Sequence, residues 1–217
     1  MSLPKNYGSR LRSSLGAIAV WLPGSPVRIG SIMVRDDGQY RLASHLDEFT
    51  SNMQFAVHQD KSLDLVSKGT RQRLFQAGVE LPSTAKLDLT AEATIKFEFD
   101  KSFEYVLKAP TLKGQHITNM LQIANSVGAA PGWQHNRFYI VYELYEAEQF
   151  TFLGTQSSKR EFEFSGKGAG ILGLLTAGAA VGLQSTGDVE VKILGQGGAL
   201  AIGLVRVKGG GNLDYVP

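Results

Sequence analysis

From Lys86 to Asp100 the chain reads KLDLTAEATIKFEFD, apolar at every odd position and polar at every even one. Leu87, Leu89, Ala91, Ala93, Ile95, Phe97 and Phe99 therefore share one side of an extended backbone. A period of two held over these fifteen residues predicts an amphipathic strand. At about 3.3 Å per residue it spans roughly 50 Å, far beyond an ordinary strand of five or six residues. Aromatic and β-branched content predicts a second long strand at Phe138–Phe152, FYIVYELYEAEQFTF. Glu161–Phe164 and Val189–Ile193 alternate as well, and a glycine turn at Gly195–Gly198 leads into a last apolar strand, Ala199–Val207.

The remaining pattern is more broken. A short helix is expected at Leu11–Leu15, turned by Gly16 into a buried strand, Ala17–Leu22, which Pro23–Pro26 ends. Val27–Val34 is a second apolar segment, and Asp36-Asp37-Gly38 signals a hairpin into Gln39–Leu42. His45–Phe49 suits one helical turn, and Gln54–Val66 reads as loop plus strand. Ile117, Met120, Leu121 and Ala124 form a stripe that predicts a helix over Thr111–Val127, stopped by Gly128–Gly132. Together these elements predict an α+β fold: one domain over residues 1–207, a twisted and mainly antiparallel sheet with long amphipathic strands, a few flanking helices, and a short tail, 208–217.

Composition narrows the function. The 217 residues suit one core, and 22 Lys+Arg against 20 Asp+Glu leave no global attraction for nucleic acid, which is not expected as a partner. The chain has no cysteine, which excludes disulfides, thiolate metal sites, cysteine nucleophiles and S-acyl anchors. Lys5, Arg10 and Arg12 precede the apolar stretch 15–22, but its one small-x-small pair, Ala17-Ile-Ala19, lies inside that stretch. This is the wrong layout for a signal peptide, so the chain is read as cytoplasmic. Residues 168–187 carry no charge but hold six glycines with Gln184, Ser185 and Thr186. They read as a glycine-rich loop or small-residue strands, not as a spanning helix.

Candidate chemistry is sparse. Gly168-Ala-Gly170-Ile-Leu-Gly173 matches a dinucleotide fingerprint, with Asp188 twenty residues on. Its preceding strand alternates, whereas the first strand of such a fold is apolar on both faces, and Gly178 and Gly182 weaken the helix that should follow. A dinucleotide-binding enzyme is thus a remote alternative. His45, His58, His116 and His135 show no metal-ligand spacing, and Glu143, Glu146 and Glu148 are poorly placed as a catalytic pair. No catalytic residue, cofactor or metal is expected, and the protein is read as a non-enzyme. Basic residues group at Lys5, Arg10 and Arg12, at Lys68, Arg71 and Arg73, at Lys159 and Arg160, and at Arg206 and Lys208, and as a set they could hold an anionic membrane surface.

A strand of this length has two physical uses. It can lay one face on a core, or it can cross a bilayer, where a tilted strand needs about 9–11 residues. The order of pieces resembles the bacterial gasdermins. Leu11-x-x-x-Leu15-Gly-Ala-Ile-Ala-Val-Trp-Leu22-Pro, then Val27-x-Ile29, Asp37-Gly38 and Leu42 to Phe49 look like their opening. Ala91-x-Ala-Thr-Ile-Lys-Phe-Glu-Phe99, Phe138-Tyr-Ile-Val-Tyr-Glu-Leu with Glu148-Gln-Phe-Thr-Phe152, and Gly195–Val207 are similar to later strands of that family.

The resemblance implies a pore-forming protein of antiviral cell death. A soluble monomer in the cytoplasm, released by an activating protease, assembles as a homo-oligomer on membrane lipid and inserts amphipathic hairpins into the inner membrane. The inserting residues would be Leu87, Leu89, Ala91, Ala93, Ile95, Phe97 and Phe99, followed by Ile171, Leu172, Leu174, Leu175, Val181, Leu183, Val189, Val191 and Ile193. Lys68, Arg71, Arg73, Lys159 and Arg160 would meet headgroups. The chain departs from many bacterial members in lacking an N-terminal cysteine, and residues 208–217 are short for an inhibitory segment. A non-enzymatic binding or assembly protein using the same sheet in water is the alternative.

Overall fold

Leu3, Tyr7 and Leu11 recur every four residues and are all buried, so the first helix, α1, runs over Leu3–Leu15 and begins well before the expected Leu11. The structure is a computed structural model that describes residues 2–36, 39–82, 85–171, 183–186 and 191–216. After α1 come β1 (Ile18–Ala19), β2 (Ser31–Asp36) and β3 (Gln39–His45), the last two forming the expected hairpin. His45 then caps a 3-10 turn, Leu46–Glu48. β4 (Phe55–Val57), β5 (Lys61–Val66), β6 (Thr70–Gln76), β7 (Val79–Leu81), β8 (Glu92–Phe99) and β9 (Tyr105–Ile117) lead to helix α2, Met120–Gly128. β10 (Phe138–Gly154), β11 (Arg160–Lys167), β12 (Leu183–Thr186), β13 (Val191–Val207) and β14 (Leu213–Tyr215) complete the chain. Antiparallel pairing joins β2 to β3 and β10, β9 to β4 and β5, β6 to β7 and β8, β11 to β8 and β12, and β13 to β1 and β14. The alternation predicted such pairing, and the class is α+β.

Four expectations are corrected. β8 covers Glu92–Phe99, not the whole of Lys86–Asp100. Asp88 accepts the Thr90 amide at 2.9 Å and the Thr90 hydroxyl at 2.8 Å, and this side-chain turn takes the place of extended backbone. Helix α2 starts at Met120 because Thr111–Ile117 belongs to β9. Pro110 and Gly114 disguise that strand; the β5–β9 register shifts between Lys61 and Leu63, opposite Pro110, an irregularity of the kind at which strands accommodate proline. β1 keeps only Ile18–Ala19 of the expected Ala17–Leu22. Gly195–Gly198 does not end a strand: β13 runs through it, with Gly195 at φ 65° and Gly198 at φ 137°, conformations open to glycine.

The chain divides into two compact units, residues 1–10, 61–112 and 147–197, and residues 11–60, 113–146 and 198–217. In the first, β12, β11, β8, β6 and β7 form a five-stranded sheet in that order, and β5 pairs with β9. In the second, the order is β1, β13, β10, β2 and β3. Apolar side chains cover both faces of this second sheet. Ile32, Ile140, Val205 and Val207 pack with Ile123, Ala124 and Val127 of α2. Their strand neighbours Met33, Tyr139, Val141 and Leu204 pack on the other face with Val20 and Val216. β13 has its outer edge covered piecewise, by the Ser25–Ala199 bridge, by β1 at Ala201–Ile202 and by β14 at Val205–Val207.

Candidate functional site

The five-stranded sheet is built from the segment with the strongest alternation, and its two faces differ. Phe97 lies between Gln72 and Phe162, Ile95 between Leu74 and Phe164, and Ala93 between Gln76 and Gly166. Ala93, Ile95, Phe97, Phe99, Phe162, Phe164 and Ile171 are buried in one cluster, with Leu87 partly buried against it. The rings of Phe99 and Phe162 meet edge to face at 5.4 Å, those of Phe97 and Phe164 at 6.2 Å. Leu89 is 48% exposed, and it lines an open groove with Leu74, Leu81, Pro82 and Leu87 along the β6–β7 edge. Ala91, Val191 and Ile193 are half-buried. Leu172, Leu174, Leu175, Val181 and Val189 lie outside the described residues, and of Leu183 the structure describes only the backbone, paired with Phe164.

The other face is a charge ladder. Arg71 sits beside Glu98 and Glu98 beside Glu161; one step along the strands, Arg73, Lys96 and Glu163 are aligned. Lys96 Nζ lies 2.6 Å from Glu163 and 3.2 Å from Glu161, and bonds to these two carboxylates push its pKa up. Arg73 reaches Glu98 at 3.3 Å and Glu80 at 3.8 Å, and Arg71 reaches Asp100 at 3.2 Å. Two of the five residues expected at headgroups thus face carboxylates of the same sheet. Lys68 and Lys159 are exposed and Arg160 is half-buried, in register with Phe99.

The glycine fingerprint has a structural use at its first position. β11, which precedes it, is flanked by antiparallel partners on both sides, unlike the buried parallel strand of a dinucleotide fold. Gly168 donates to the Ala91 carbonyl at 2.8 Å, and a Cβ there would collide with the carbonyl of Asp88. Gly173 and Asp188 lie outside the described residues.

In the second unit the structure gathers side chains that no sequence spacing relates. The His58 ring stacks on His116 at 4.7 Å, its Nε2 lies 3.3 Å from Glu143, and Tyr145 donates to Glu143 at 2.9 Å. Burial, with that bond, pushes the Tyr145 phenol up to about 12. Gly114 leaves room for the His58 ring, since a Cβ would stand 2.8 Å from it. Among the described residues no group of His, Asp and Glu is arranged to hold a metal, and no helix is long and apolar enough to cross a membrane.

No family model and no curated protein matches the chain. Among solved structures it is similar to a bacterial gasdermin from Bradyrhizobium tropiciagri, at 14% identity over 97% of this chain and 90% of that one, with a TM-score of 0.45. It is also similar to the gasdermin A3 membrane pore, at 11% identity over 100% of this chain and 94% of that one, with a TM-score of 0.40.

Proposed function

We propose that the chain is a gasdermin-like pore-forming protein, in which the five-stranded sheet of the first unit supplies the membrane-inserting strands. The observation that carries this reading is the division of β8 and β11 into an apolar face, continuous from Ala93 to Phe99 and through Phe162 and Phe164, and an ion-paired polar face. A strand in a membrane barrel needs that division, with lipid on one side and a water-filled lumen on the other. The ladder of Lys96, Glu98, Glu161 and Glu163 would face water, and Ala93, Ile95, Phe97, Phe99, Phe162 and Phe164 would exchange a protein core for acyl chains. β8 has eight residues, short of the roughly 9–11 that a crossing needs. Residues 86–91 continue its alternation, so recruiting them would give a strand of fourteen, 86–99.

The partners in this reading are further copies of the chain and membrane lipid, with Lys68, Lys159 and Arg160 at the headgroups and a protease as trigger. The setting proposed is antiviral cell death, with movement from cytoplasm to inner membrane. A second reading, a soluble binding or assembly protein, is favoured by the complete burial of Phe97 and Phe99 in the protein's own core.

Release of a small dye from liposomes containing anionic lipid tests the reading. Because the chain has no cysteine, Ala93→Cys and Thr94→Cys can each carry one environment-sensitive thiol dye, attached after membrane binding. Position 93 should report lipid and be quenched from within the bilayer, while position 94 should report water. Liposomes that keep their dye with the wild-type chain would leave the soluble reading standing. Equal signals from the two labels would mean that this strand does not cross.

A further inference from the structure

We propose that Asp88, Thr90 and Gln76 form a latch that holds residues 86–91 out of the sheet, and that its release lets β8 reach membrane-crossing length. The proposal rests on the pore reading and adds the residues that control it. Alternation does not stop at Glu92: Leu87, Leu89 and Ala91 keep the phase of Ala93, Ile95 and Phe97. What stops the strand is a set of polar bonds. The Asp88 carboxylate takes both the amide and the hydroxyl of Thr90 and turns the backbone there. Those bonds also hold its carboxyl below the usual carboxylate range.

Gln76 supplies the second hold. Backbone pairing of β6 with β8 ends at Gln76 and Ala93, and the chain then turns away through Ala77 and Gly78, at φ 49° and 80°. The Gln76 side chain takes over: its amide donates to the Asp88 carbonyl at 2.8 Å and its oxygen accepts the Asp88 N–H at 3.1 Å. It stands in for one peptide unit of a neighbouring strand. On the other side Gly168 and Ala169 donate to the carbonyls of Ala91 and Leu89, at 2.8 and 3.0 Å. In an extended ladder the backbone groups of Asp88, Leu89, Thr90 and Ala91 would bond to neighbouring strands, so releasing the latch would exchange their hydrogen bonds and give up only the one between the Thr90 hydroxyl and Asp88. The exchange would bring Leu89, now half in water, onto the apolar face of the strand.

The test uses the full chain and two measurements, amide hydrogen exchange over residues 85–92 in solution and dye release from anionic liposomes. Asp88→Ala removes the side-chain acceptor. It is expected to speed exchange at Asp88 and Thr90 at least tenfold, leave exchange within Thr94–Phe99 unchanged, and raise the initial rate of dye release severalfold. Asp88→Asn keeps an oxygen that accepts both Thr90 bonds and should match the wild type in both measurements. Wild-type exchange and release rates in Asp88→Ala would overturn the latch alone, as would Asp88→Asn behaving like Asp88→Ala. Liposomes that stay intact with the wild-type chain would overturn the pore reading and the latch's role together.

Discussion

The middle of β13 and the length of β8 are both apolar and both extended, yet they bury their side chains in different ways. Ala199 through Val205 are buried without exception, and the neighbours Leu204 and Val205 enter clusters on opposite faces of the second unit's sheet. β8 alternates strictly between buried and half-exposed from Ala93 to Phe99. A strand covered twice gains apolar burial at every residue and has no face left to offer another solvent. A strand covered once keeps its polar face in water whatever meets the apolar face. The physical demand on that apolar face is low polarity, which a protein core and a lipid interior both satisfy. Under the proposed pore reading, this contrast would place the capacity for rearrangement in the first unit's sheet and stability in the second's.

The largest expected effect that could break the contrast comes from buried charge. Leu204→Asp and Val205→Asp point to opposite faces of β13, and each should abolish the cooperative thermal transition, since an unpaired buried carboxylate costs several kcal/mol. If either neighbour tolerates the charge, β13 is not covered twice. In β8 the same comparison should be lopsided. Phe97→Ala is expected to cost about 3–5 kcal/mol in denaturant titrations, while Glu98→Ala should cost no more than about 1 kcal/mol. Reversal at the centre of the ladder is smaller: Lys96→Glu should cost about 1 kcal/mol, and Glu163→Lys added to it should restore part of the loss. Full additivity of the two changes would mean that the ladder does not couple β8 to β11.

The smallest effect is titration at Asp88, whose folded-state carboxyl is held down by Thr90. The turn is fully supported above the ordinary carboxylate value, near pH 4, and weakens as pH falls through the depressed folded value. The Thr90 amide resonance should follow that transition, and Asp88→Asn should remove it.

Much of the first sheet is legible in the order of its residues. Residues 93–99 alternate, and alternation maps directly onto the faces of a pleated strand. The same rule overreaches at residues 86–91, because periodicity records which side chains are apolar and is blind to a carboxylate that prefers its own backbone. It fails in the other direction at β9, where Pro110 and Gly114 look like breakers until the bulge opposite the proline and the ring of His58 beside the glycine are known. The fate of the basic cluster is hidden for another reason. Arg71 and Arg73 meet Asp100 and Glu98, more than twenty residues away, and only the strand register decides whether such charges become partners. The grouping of His58, His116 and Glu143 depends likewise on three separate segments.

The piecewise cover along β13 has a practical consequence for handling the protein. Unpaired strand edges invite other chains to dock and grow ribbons, and here the last uncovered stretch is closed by three residues, Leu213–Tyr215, fastened by Asp214 to Arg206 at 2.6 Å and Lys208 at 3.0 Å. That fastening is electrostatic and sits near the surface, so concentrated salt loosens it. Storage at low ionic strength should keep preparations clear, and turbidity on standing should appear first in brine.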